Sequence, residues 1–295
     1  MRKRQTHIIC VANQKGGVAK TTSAAYLGAA FSRLHRRVLV VDSDPQCNLT
    51  YCMELTDEQQ EFAAENNLAS IYESGQPAEE CVISIREGMD LLAASPDLVM
   101  TEVTLDSNPE ALSVEPERIL LHALEPIAAR YDFVIIDCPP SQGMLTLNGL
   151  VASSWVIIPT LASVISLTGL ERMLEQVHEI VHGDPPINEA LKILGVLITR
   201  FRRDRTVEIE LEQRLRELTE EFYVFKTVIP DRSQFELLGE LKAQTGRHLL
   251  DLSMVSYSLL PYLTLAMEIE KILTPRLTVR QQMEAGGQVD IMKQN

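Results

Sequence analysis

The chain has 295 residues, 45% of them hydrophobic, which is enough for one large α/β domain, and the even spread of apolar segments favours one over two. With 27 Lys and Arg against 41 Asp and Glu, the net charge of −14 excludes a global attraction to nucleic acid or anionic lipid, so any DNA contact must come from a local basic patch. Five cysteines (Cys10, Cys47, Cys52, Cys81 and Cys138) form no CxxC pair and have no clustered histidines, which points to free thiols in a reducing cytosol.

The N-terminus is basic, but the apolar run after it is too short for a signal peptide core or a membrane span, so a soluble intracellular protein is expected. That run, Ile8–Val11, reads as the first strand. So little chain precedes it that a helix-turn-helix has no room there, and sequence-specific repression is not expected.

Next comes Asn13-Gln14-Lys15-Gly16-Gly17-Val18-Ala19-Lys20-Thr21-Thr22, between that strand and a helix predicted over Thr21–Leu34. A phosphate cradle needs this order of parts: glycines let backbone N–H groups approach phosphate oxygens, and the helix aims its positive end at them. Lys20 would bridge β- and γ-phosphates, Thr21 would hold Mg²⁺ by its hydroxyl, and Thr22 would reach the α-phosphate. The ordinary GxxxxGK[ST] pattern is not met, because Gln14 and Ala19 occupy its two glycine positions. If position 19 needs a positive φ, alanine costs about a kcal/mol there.

The run Val38–Val41 reads as a second strand and ends in two carboxylates, Asp42 and Asp44, followed by Pro45-Gln46-Cys47-Asn48-Leu49-Thr50. Strand ends lie beside the phosphate loop in such folds. Residues 53–80 are acidic and mixed, and short helices are expected. Met89–Leu92 and Phe133–Ile136 are further buried strands, and Asp137 after the second has the form of a Walker B acid that reaches Mg²⁺ directly or through water. Pro139 and Pro140 stiffen the stretch just after it, which suits a segment that senses the γ-phosphate.

Strands are predicted at Trp155–Ile158 and Ile193–Ile198, with helices over Leu167–Val181, Val207–Phe222 and Ser258–Leu273. Between strand and helix lies the densest basic run after the N-terminus, Arg200-Phe201-Arg202-Arg203-Asp204-Arg205. Alternating strands and helices imply a doubly wound, mostly parallel α/β sheet of seven or eight strands with helices on both faces, as one domain over residues 1–274 with a polar tail at 275–295.

KGGVAKTT resembles the deviant Walker A motif of the ParA/MinD family of P-loop NTPases. The stretch from Asp42 to Thr50 resembles the family's D-x-DPQ-x-N-x-T element, and Gln142-Gly143-Met144-Leu145-Thr146-Leu147-Asn148 resembles its switch II. Leu91–Leu98 resembles the family's LLPA-x-PDL stretch and Thr227-Val228-Ile229-Pro230 its TVIP strand, so the likeness to short chromosomal ParA proteins runs from about His7 to Leu273. It implies that Lys15 crosses a dimer interface to the partner's nucleotide, that Asp44 positions the attacking water, that Asp42 lies nearer the metal shell, and that Pro230 lies by the base. The chain departs from the family after Thr160, where Leu161-Ala162-Ser163-Val164 replaces a Gln-Cys-Glu-like stretch, and after Pro230, where Asp231-Arg232-Ser233-Gln234-Phe235 stands.

The resemblance further implies a slow Mg²⁺-dependent ATPase with ATP/ADP as cofactor, a sandwich homodimer, a ParB-like or other cargo-adaptor partner that stimulates hydrolysis, and non-specific DNA binding in a cytoplasmic, nucleoid-associated protein. Arg200, Arg202, Arg203 and Arg205 are the leading DNA-binding candidates, with Arg232, Lys242 and Arg247 behind them. The acidic balance supports a rival in which the ATPase positions cargo through protein contacts alone. A MinD-like membrane helix is not expected, because residues 278–287 are too polar. Nor is an iron–sulfur role, since Cys138 has no evident second ligand.

Overall fold

Three five-residue strands form the centre of the sheet: β1 (His7–Val11), β2 (Val38–Asp42) and β5 (Phe133–Asp137). Every side chain of β2 and β5 is buried, as are the last three of β1. Runs such as VLVVD and FVIID have no polar face, so they are stable only where both faces of a parallel sheet are covered. The computed structural model describes residues 6–107, 115–217, 222–231 and 259–274. Among them the sheet has seven strands in the order β3-β4-β2-β5-β1-β6-β7, with β3 at Val82–Arg86, β4 at Met89–Leu92, β6 at Trp155–Leu161 and β7 at Lys192–Thr199. All pairs are parallel except β3–β4.

Alternate residues along each strand feed two cores. Ile9, Val11, Val40, Ile135 and Ile157 pack beneath α1 (Lys20–Arg33) and the last described helix, Leu259–Leu273. Cys10, Leu39, Val41, Val134, Ile136 and Ile158 face the opposite layer. That layer includes α7 (Ile119–Ala128), α8 (Met144–Val151) and α9 (Val164–His182). The intervening elements are α2 (Asn48–Cys52), α3 (Asp57–Glu65), α4 (Leu68–Ser74), α5 (Ala78–Cys81) and α6 (Leu98–Ser107), with α10 at Thr206–Glu217 after β7. In this order the final helix is α11.

Helix α1 lies close on the sheet: a Cβ at Gly28 would come within 2.6 Å of the Val40 side chain. Tyr26 of α1 stacks on Tyr262 of α11 at 5.2 Å between ring centroids, and Ser23 Oγ is 3.2 Å from the Tyr262 hydroxyl. Arg36 closes the rim with a 2.6 Å ion pair to Glu270.

Each strand predicted from an apolar run is present, extended by a residue or more at half of the ends, and residues 53–80 do form short helices. Strand β3 is an addition. It forms a hairpin with β4 through Glu87 and Gly88, and Gly88 takes φ 78°, the left-handed conformation that a tight hairpin requires. The Thr227–Pro230 segment is a correction: it is no regular strand, but follows β7 through a Phe201–Pro230 bridge and the bonds Ile229 N–H to Ile198 O and Phe201 N–H to Ile229 O. All five cysteines are free thiols. His178 and His182, one turn apart on α9, do sit together, with ring centroids 4.9 Å apart. Among the described residues no helix is long and apolar enough to cross a membrane.

Candidate functional site

The loop from Ala12 to Ala19 connects the carboxyl end of β1 to α1, and three ties fix its path. Asn13, buried, donates from Nδ2 to Pro159 O at 2.7 Å and accepts from Lys15 N–H at 2.9 Å. The Thr199 hydroxyl at the end of β7 lies 3.0 Å from Val18 O and 3.1 Å from Thr160 O. Gln14 Nε2 reaches the Gln176 side chain on α9 at 3.3 Å. The loop is therefore strapped to β6, β7 and α9.

Gly17 and Ala19 both lie in the left-handed region, at φ 74° and φ 62°. The position occupied by Ala19 thus does need a positive φ, and a Cβ there carries strain of about 1–2 kcal/mol. A Cβ built at Gly16 or Gly17 meets nothing within 4 Å, so the space over the turn is open. Ala19 caps α1 without a side-chain hydrogen bond. The first N–H groups of α1 therefore keep their free donors beside Gly16, Gly17, Val18, Thr21 and Thr22, as a cradle for anionic oxygens requires.

Lys20 is buried, and its ammonium donates to Lys15 O at 3.1 Å. Burial lowers its pKa, against the opposing pull of Asp137 and, less strongly, Asp44. Lys15 donates from Nζ to Ser166 Oγ of α9 at 2.7 Å.

The carboxylates gather at the strand ends. Asp137 closes β5 in register with Val11 of β1 and Asp42 of β2. It is fully buried, and neither of its oxygens makes a hydrogen bond of normal geometry, the Thr21 hydroxyl being the donor that lies close enough to favour its charged form. Burial, then the neighbouring Asp42, hold its pKa well above the usual carboxylate range, only partly offset by Thr21 and Lys20. Asp42 is also fully buried, yet Thr50 N–H and Thr50 Oγ1 donate to it at 2.7 Å each and Asp44 N–H at 3.2 Å. Desolvation still pushes its pKa up to about 6. Asp44, nearly buried, accepts from Gln46 N–H at 2.9 Å, and its carboxylate contributes to the fields at Lys20 and Asp137.

An orphaned buried carboxylate beside a threonine hydroxyl fits a hard divalent cation such as Mg²⁺, which takes few protein oxygens and completes its shell with water and phosphate. Among the described residues no group of three or more His, Cys, Asp or Glu is placed to hold a metal ion by itself. The geometry thus collects Lys20, Thr21, Asp42, Asp44 and Asp137 around one crevice, with Lys15 tied to it through its carbonyl while its ammonium is held on α9. Pro230 stands apart from this cluster. It lines a hollow of about 880 Å³ with Phe201, Arg203, Thr227, Glu268 and Lys271.

The basic run is in place after β7 but is heavily paired. Arg200 lies 3.5 Å from Asp231, Arg202 bonds the same carboxylate and also takes Glu208 on its backbone N–H, and Arg205 lies 3.7 Å from Glu208. Arg232, Lys242 and Arg247 lie outside the described residues, as does the tail from Pro275.

Several participants carried no signal in the sequence. Thr199 and Ser166 act through hydroxyls whose partners come from distant segments. Glu102 of α6 is another: its carboxylate takes the Leu145 N–H and lies so near Gly143, ahead of α8, that a Cβ there would fall 2.0 Å from it.

Comparison with known proteins accords with this geometry. Residues 6–193 match the family model described as AAA domain. The chain is 33% identical over 273 residues to the chromosome partitioning protein ParA of Myxococcus xanthus, covering 91% of this chain and 89% of that protein. It is 37% identical over 230 residues to the chromosome-partitioning ATPase Soj of Thermus thermophilus, covering 78% and 83%. Among solved structures, the cobyrinic acid a,c-diamide synthase of Mycobacterium smegmatis with bound ADP and magnesium superposes with a TM-score of 0.67 at 31% identity, over 83% of this chain and 98% of that one.

Proposed function

The chain belongs to the ParA/MinD-type P-loop partition ATPases, and on that premise we propose that it is a dimerising switch that positions DNA or another large cargo. ATP or ADP with Mg²⁺ is its cofactor, and chromosome or plasmid partitioning is its field of action. The finer reading rests above all on Asp137, a wholly buried carboxylate with two unpartnered oxygens at the foot of an open glycine turn.

In this reading the backbone N–H groups of Gly16, Gly17, Val18, Ala19 and Thr22 hold the phosphates, and Lys20 neutralises their charge. Thr21 and Asp137 would hold Mg²⁺, with Asp42 behind them fixing the strand end through Thr50. Mg²⁺ bound there would supply charge neutralisation to the phosphates. Asp44 orients a water whose oxygen forms a bond to the γ-phosphorus as the bond to the β-bridging oxygen breaks, giving ADP and phosphate. Lys15 crosses to the nucleotide of a second copy, so the triphosphate becomes part of the subunit contact. Pro230 lies by the base.

The dimer gathers two copies of the Arg200–Arg205 run onto one DNA-facing surface, which doubles the phosphate contacts. A cargo-bound, ParB-like adaptor speeds hydrolysis and releases the dimer. We place the protein in the cytoplasm, on the nucleoid when dimeric. A second reading, cargo positioning through protein contacts without DNA, is favoured by the net charge of −14 and by the pairing of Arg200 and Arg202 with Asp231. Gel retardation of random duplex DNA with and without Mg·ATP, over a salt series, separates the two. Retardation that needs ATP and fades with salt supports the first reading, and none at low salt supports the second.

A further inference from the structure

The loop's first lysine is held inside its own protomer. Lys15 Nζ donates to Ser166 Oγ at 2.7 Å, and Ser166 Oγ is itself 2.7 Å from Ser163 Oγ. Ser166 is fully buried, so a side chain bonded to it is turned toward its own chain. The fit around this contact is close: a Cβ at Gly169, one turn further along α9, would come within 3.2 Å of both Lys15 Cβ and Asn13 Oδ1. Gln14 extends the contact along the same helix, to Arg172 O at 3.4 Å and the Gln176 side chain. The Lys15 carbonyl is engaged as well, by Lys20 Nζ at 3.1 Å.

We propose that Ser166, supported by Ser163, is a positioning residue that parks Lys15 in the free protomer and must release it before two copies can close on their nucleotides. The proposal rests on the reading of Lys15 as the residue that crosses the interface. A hydrogen bond from an ammonium to a hydroxyl is stronger than a neutral one, and it competes directly with the reach of that ammonium to a phosphate on a second molecule. Only the fraction of protomers with Lys15 released can pair, so the latch lowers the apparent dimerisation constant by that fraction. Each protomer of a two-fold dimer contributes one Lys15, so the fraction enters twice. Ser163 falls in the stretch Leu161–Val164 where the chain departs from its family, and Ser166 follows it in the first turn of α9.

The test is dimer formation by Ser166→Ala with Mg·ATP, followed by light scattering across a protein concentration series. The latch predicts that half-dimerisation occurs at a protein concentration lower by about fivefold or more than in the wild type. ATP affinity, measured in a Lys15→Ala background where pairing is lost, is expected to be unchanged by Ser166→Ala. Loss of a merely structural contact would not promote dimerisation. Ser163→Ala, at a less buried position, should move dimerisation in the same direction by a smaller factor. Dimerisation by both serine variants that is unchanged or weaker than wild type, while Lys15→Ala stays monomeric, overturns the latch alone. A Lys15→Ala protein that pairs like wild type overturns the reading beneath it.

Discussion

Asp42 and Asp137 stand in register at the carboxyl ends of neighbouring strands, and the fold treats their carboxylates in opposite ways. Asp42 is met by three protein donors, two from Thr50 and one from the Asp44 backbone. Asp137, equally buried, makes no hydrogen bond of normal geometry and has only the Thr21 hydroxyl and the Lys20 ammonium near enough to favour its charge. A buried charge without a partner destabilises the chain that carries it, unless a cation arrives to complete the site. The first aspartate thus serves the fold, and the second is the carboxylate that we propose holds Mg²⁺.

Asp137→Asn should therefore stabilise the nucleotide-free protein while abolishing the gain that Mg·ATP gives. Thermal unfolding without nucleotide is expected to rise by a few degrees, since about 1 kcal/mol corresponds to roughly 2–4 °C in a chain of this size. With Mg·ATP added, the wild type should gain and the variant should not. A variant that loses stability without nucleotide would show that the carboxylate has a protein partner.

The Asp42 carboxyl gives a pH test with a defined sign. Its pKa is raised from 3.8 to about 6, so the native state binds more protons than the unfolded chain between those values. Stability from this group therefore falls as pH rises through that window. Thr50→Val removes one donor to the charged form, which raises the folded pKa further and carries the fall to higher pH. The variant should lose about 2 kcal/mol near pH 7.5 and clearly less near pH 5, as read from urea midpoints. An equal loss at both values would contradict the role given to Thr50.

Ala19 holds φ 62° at the head of α1. Replacing it by glycine removes the Cβ penalty, so Ala19→Gly should stabilise the protein by up to about 1 kcal/mol, partly offset by the greater freedom of glycine in the unfolded chain. Differential scanning calorimetry checks this. A lower melting temperature would mean that the alanine methyl is packed favourably.

Asp231 neutralises Arg200 and Arg202 in the free protein. If this run faces DNA in the dimer, Asp231→Asn should tighten ATP-dependent binding to random duplex several-fold and steepen its salt dependence. Neutralising Arg200, Arg202, Arg203 and Arg205 together should abolish retardation. Unchanged retardation in both variants would relocate the DNA face.

What could be read from the sequence was local. A strand, a glycine turn, Lys20-Thr21-Thr22 and a helix follow one another directly, and Asp42 and Asp137 each close an apolar run with Asp44 two residues past the first, so their place at the crevice followed from strand order. The hydroxyl contacts were not legible: Ser166 meets Lys15 across 151 residues of chain and Thr199 meets Val18 across 181. Nothing distinguishes such serines and threonines before the sheet brings them together. The arginine run was visible as composition, whereas its neutralisation was not, because Asp231 lies 29 residues beyond Arg202. Strand β3 escaped notice because a short edge strand needs only one buried face, and its pattern is correspondingly faint.

The central claim, that two copies close over shared triphosphates, is tested most directly by the mass of the Asp44→Ala protein in solution with Mg·ATP. Without its water-orienting carboxylate this variant should keep ATP and accumulate the closed state, so light scattering should give twice the 33.0 kDa chain mass. A 33.0 kDa particle at saturating Mg·ATP and high protein concentration would contradict the account.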